Sequence, residues 1–105
     1  MTTERRTSPR VEILGTLHGH IVALNLRIAV LEMSRGGMRI ESEIAFPVGS
    51  HHAFQLTLVD ESVMSLAGRV VYSRRAPGYE PKYITGVQFT DDDVASAAAL
   101  MDRLT

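Results

Sequence analysis

The sequence predicts a mainly β protein, a small closed or nearly closed barrel with one C-terminal helix. Three observations carry this. Short runs of apolar residues alternating with polar ones recur from Val11 to Phe89. Turn signals built on Gly, Pro and Asp separate the runs, and helical spacing begins only after Thr90. Alternation marks a strand with one buried face, and several short strands broken by turns favour a barrel over a layered α/β fold.

Residues 1–10 lack periodicity, contain Thr, Ser and Pro, and read as a flexible arm, with the folded domain over 11–105. Val11, Ile13 and Gly15 alternate with Glu12 and Leu14, opening the first strand, and His18-Gly19-His20 reads as a turn or bulge. Val22, Leu24, Leu26, Ile28 and Val30 then alternate strictly. That run is long for one strand, so a bend is expected near Leu24-Asn25. The stretch from Glu32 to Ile40 reads as a tight corner in which Gly36-Gly37 allows positive φ and close approach of a ligand to bare backbone. Met38 and Ile40 continue as a strand, and Phe46-Pro47-Val48-Gly49 reads as a turn with Pro47 second. Phe54, Leu56 and Leu58, a hairpin at Asp60-Glu61-Ser62, and a return strand of Met64, Leu66, Gly68, Val70 and Tyr72 follow. Arg74 to Lys82 reads as a polar loop, and Tyr83, Thr85, Val87 and Phe89 as the last strand. Thr90-Asp91-Asp92-Asp93 looks like a helix start, acidic where the dipole is positive, for a helix over about 91–104. Val94, Ala97, Ala98, Met101 and Leu104 supply its apolar stripe.

Composition narrows the function. A chain of 105 residues without cysteine fits one domain with neither disulfides nor a thiolate metal site. With no signal-like or spanning apolar segment, a cytoplasmic protein without membrane insertion is expected. A net charge of −1 disfavours DNA or RNA as a partner, as does the lack of an evident aromatic platform among six Phe and Tyr. Ten of the 11 basic residues are arginine: Arg5, Arg6 and Arg10 crowd the arm, while Arg35 and Arg39 flank the glycine corner. Arginine presents a planar fork suited to phosphate oxygens and to the O6/N7 edge of guanine. His18 and His20 would share a strand face and His51-His52 would lie in a turn, without carboxylates to complete a metal site. The methionines read as core filler. No nucleophile constellation is present and capping explains Asp91 to Asp93, so no enzyme is expected.

Arg6-Thr7-Ser8-Pro9-Arg10 is R-x-x-x-R, and Glu32-Met33-Ser34-Arg35-Gly36-Gly37 is close to [D/N]-x-S-x-x-G. In this order on a barrel-like pattern, the pair resembles the PilZ domain, the bacterial receptor module for the second messenger cyclic di-GMP. The Phe46-Pro47-Val48-Gly49 turn and Gly86-Val87-Gln88-Phe89 extend the likeness from Arg5 to Phe89. The resemblance implies a six-stranded antiparallel barrel with cyclic di-GMP clasped between arm and corner, and no further cofactor. It implies that Arg6 and Arg10 grip guanine and phosphate with Arg5 auxiliary, that Ser34 hydrogen-bonds the ligand, and that Gly37 lets a base lie close, with Gly36 beside it in the site. Glu32 stands where the family has Asp or Asn, so weakened binding or a shifted pose is expected. Ordering of the arm would then alter a surface seen by a partner protein or by a second copy in a homodimer. The other reading is a degenerate PilZ domain, a protein-interaction module that binds no nucleotide. Ser34 has a plainer role open to it as well, capping its own turn.

Overall fold

The computed structural model describes residues 11–12, 17–58, 60–90 and 94–104. Seven strands are present among them: β1 (Val11–Glu12), β2 (His18–Ile21), β3 (Leu26–Met33), β4 (Gly37–Ser42), β5 (His51–Thr57), β6 (Val63–Arg75) and β7 (Tyr83–Phe89). Every pairing is antiparallel. The order β3-β2-β5-β6-β7-β4 returns to β3, so six strands close a barrel and β1 adds to the outer end of β3. Among the described strands, closure leaves no long unpaired edge.

The alternating residues fill the interior. Ile28, Val30, Ile40, Phe54, Leu56, Leu66, Val70, Val87 and Phe89 are buried, and Met33 and Met38 pack among them as expected. Helix α1 (Val94–Leu104) adds Ala97 and Leu100 to this core. Leu100 falls outside the expected stripe, and the capping segment Asp91 to Asp93 lies outside the described residues, as do residues 13–16 and the arm. Thr85 is fully buried yet satisfied: its hydroxyl lies 2.8 Å from that of Ser73, which accepts the Phe46 amide at 3.1 Å. That network pins the β4–β5 connection to the barrel.

Several local expectations are corrected. His18-Gly19-His20 is strand, not turn. A Cβ on Gly19 would stand 2.8 Å from Leu56 and 2.9 Å from Ile28, so neighbouring side chains already fill its inward place. The bend near Leu24-Asn25 is present as a 3₁₀ turn over Val22–Leu24, closed by Asn25 at φ 49° and ψ 47°. Val22 and Leu24 are therefore exposed, and β3 begins only at Leu26. The next turn runs Pro47 to Ser50, with the Ser50 amide on the Pro47 carbonyl at 3.1 Å, so Pro47 is first rather than second. Gly49 supplies its positive φ of 89°, as a type II turn requires at the third position. His51 and His52 belong to β5, and β6 continues to Arg75, shortening the polar loop that follows.

Candidate ligand-binding site

Strands β3 and β4 meet at the glycine corner, where the Ser34 amide donates to the Gly37 carbonyl at 2.8 Å. The Ser34 hydroxyl donates to the same carbonyl at 3.3 Å, so it does cap its own turn, through a long bond. Neither glycine here takes a left-handed φ, contrary to expectation. What Gly37 requires is space: a Cβ there would lie 2.3 Å from the Val87 carbonyl oxygen of β7. Gly36 faces open space, and its carbonyl accepts the Phe89 amide at 2.8 Å. Arg35 is exposed at the tip.

Strict alternation from Ile28 and Val30 would turn Glu32 towards the core. A bulge prevents it. Val30 pairs with Ile40 and Glu32 with the very next residue, Arg39, so Leu31 is an extra residue that reverses the phase. Met33 then points inward and Glu32 outward. A second bulge does the same across the barrel: Val70 pairs with Val87 and Tyr72 with Gly86, leaving Val71 extra. Tyr72 is thus carried to the outer face at 36% exposure instead of the interior that its alternation implied. Its ring lies over Gly86, where a Cβ would come within 2.2 Å of it.

Both bulges feed one cross-strand row, Glu32 opposite Arg39, Arg39 opposite Gly86, and Gly86 opposite Tyr72. Arg39 Nη2 lies 3.2 Å from Glu32 Oε2, with side-chain exposures of 36% and 19%. Arg39 Nε is buried without a hydrogen-bond partner. A cavity of about 260 Å³ opens here, lined by Glu32, Ser34, Gly36, Gly37, Arg39 and Tyr72 among others. It offers a carboxylate, a guanidinium, a hydroxyl and an aromatic face, groups that suit a purine carrying phosphate. β1 reaches the same place, with Val11 opposite Met33 and Glu12 opposite Glu32.

The corner therefore gathers Glu32, Ser34, Gly36 and Gly37 at one cavity, whereas Arg5, Arg6 and Arg10 lie outside the described residues. Sequence reasoning missed Tyr72, and it noted Arg39 without giving it a role. A larger hollow of about 510 Å³ lies beside β2 and β3, lined by groups of both signs including His18, His20, Arg27, Glu41 and Lys82. Among the described residues no three His, Cys, Asp or Glu side chains gather to hold a metal ion. Among the described residues no helix is long and apolar enough to cross a membrane.

The family model for the PilZ domain matches residues 4–105. This chain belongs to the PilZ domain family. The PilZ barrel is similar to two solved structures from Escherichia coli. One is YcgR in complex with cyclic di-GMP, at 14% identity and a TM-score of 0.73, covering 96% of this chain and 46% of that one. The other is the PilZ domain of YcgR with cyclic di-GMP, at 18% identity and a TM-score of 0.69, covering 93% and 87%. This PilZ chain thus spans less than half of the YcgR chain in that complex, and at such identities the likeness is one of fold. No curated protein sequence matches it.

Proposed function

We propose that this PilZ domain is a cyclic di-GMP receptor that closes its arm over the β3–β4 corner when the dinucleotide binds. The observation that carries the reading is the cavity at that corner, where Glu32, Ser34, Arg39 and Tyr72 converge. Family membership supports it, as do the similar YcgR structures, both of which hold cyclic di-GMP. In this reading the guanine N1–H and N2–H donate to the Glu32 carboxylate. The Ser34 hydroxyl exchanges its long turn bond for a phosphate or guanine oxygen, and bare backbone at Gly36 and Gly37 admits the base closely. Arg6 and Arg10 donate to phosphate and to the guanine O6/N7 edge, with Arg5 assisting. Tyr72 supplies a face for a purine. Because Arg10 is bonded to Val11, and Val11 pairs with Met33 one residue before Ser34, the chain leads directly from corner to arm.

The domain acts by binding and not by catalysis. Its ordered arm presents a changed surface to a protein partner or a second copy, in the cytoplasm. The alternative, a nucleotide-free interaction module, is favoured by one observation: the Glu32 carboxylate is already engaged by Arg39. Calorimetric titration with cyclic di-GMP, with GTP as control, separates the two. Saturable binding of the dinucleotide, weakened by about 1–3 kcal/mol in Arg6→Ala and in Arg10→Ala, is expected. Absence of binding by the wild-type protein selects the alternative, and unchanged affinity in both variants removes the arm from the site.

A further inference from the structure

We propose that Arg39 is a specificity-determining positioning residue, which holds the longer Glu32 side chain where its carboxylate reads the N1–H and N2–H edge of guanine. The inference rests on the receptor reading above and deepens it.

Glutamate has one more torsion than the aspartate or asparagine it replaces. An untethered carboxylate at the end of that stem would lose rotamer entropy whenever it met a ligand. Arg39 removes that cost in advance. The extra residue Leu31 brings Glu32 opposite Arg39 in the ladder, and Nη2 reaches Oε2 at 3.2 Å. Without the bulge Glu32 would face Met38 and the core. The other ladder neighbour of Arg39 is Gly86, which has no side chain, and the space above it is taken by the Tyr72 ring.

The orientation of Arg39 has a cost that points the same way. Its Nε is buried with no acceptor while Nη2 stays on Glu32. An unsatisfied buried N–H is unfavourable, so the guanidinium sits where the carboxylate holds it and not where all its donors would be met. Both residues line the cavity at the corner. A carboxylate fixed there accepts from guanine, whose edge offers two donors, and opposes adenine, whose N1 is an acceptor.

The test compares cyclic di-GMP with cyclic di-IMP, which lacks only the 2-amino donors, by calorimetry on the full chain. Wild-type protein is expected to prefer cyclic di-GMP by about tenfold or more, one charge-assisted hydrogen bond. Arg39→Gln is expected to reduce that preference to about threefold or less, and Arg39→Lys, which keeps the charge but not the fork, to an intermediate value. A purely structural role would weaken both ligands equally and leave the ratio unmoved, and that result in either folded variant overturns the proposal. Equal affinities in the wild type overturn it too. No binding of cyclic di-GMP by the wild type overturns the receptor reading itself, and this inference falls with it.

Discussion

Gly36 and Gly37 are adjacent in sequence but physically unlike. A methyl group on Gly37 would stand 2.3 Å from the Val87 carbonyl, whereas one on Gly36 meets nothing. Gly37→Ala is therefore expected to destabilise the fold by about 2 kcal/mol or more, and Gly36→Ala to remain within about 0.5 kcal/mol, as thermal or urea unfolding will record. Equal effects would show that the β4–β7 approach does not dictate the glycine. His52 gives a second residue-level expectation. It lies between the Phe46 and Phe54 rings with Nε2 3.0 Å from the Ser50 hydroxyl, and burial, followed by the neighbouring His51, lowers its pKa below the usual 6.5. The unfolded chain then takes up this proton more readily than the folded one. Stability is full above about pH 6.5 and falls as pH drops through the depressed folded value. The melting temperature should decline between pH 7 and pH 5, and His52→Gln should flatten that slope; an identical slope in the variant would contradict this.

At the scale of elements, bulges decide which side chains face the corner cavity. Counting by twos located the buried faces of β5 and β7 and the core residues Ile28, Val30, Met38 and Ile40, because each alternation there runs unbroken. It could not see Leu31 or Val71 as extra residues, since a bulge is defined by the partner strand's register and leaves no mark in its own sequence. Alternation alone therefore places Tyr72 in the interior, whereas the bulge carries it to the outer face, where it lines the corner cavity. Gly19 misled for a related reason: its need for glycine comes from Leu56 and Ile28, distant in sequence, rather than from a local turn. The corner itself is legible because the four candidate residues Glu32, Ser34, Gly36 and Gly37 fall within six positions and line one cavity. If Tyr72 serves as the purine platform, Tyr72→Ala should weaken cyclic di-GMP by about 1–3 kcal/mol while Tyr72→Phe retains affinity. Gly86→Ala, which drives a methyl into the ring's place, should mimic the loss. Full affinity in both Tyr72→Ala and Gly86→Ala would remove the platform.

For the whole molecule, closure of six strands sets the corner on a continuous antiparallel ladder. Residues 1–10 precede β1, which joins the barrel with Val11 opposite Met33 and Glu12 opposite Glu32. Under the proposed function, cyclic di-GMP would order residues 1–10 without distorting the core, and the ordering entropy would be drawn from the binding energy. Hydrogen exchange with and without saturating cyclic di-GMP tests this most directly. Slowed exchange in residues 4–10 together with 34–37, and little change in the core of β5 and β6, is the predicted result. An arm that exchanges as fast at saturation as without ligand would contradict it.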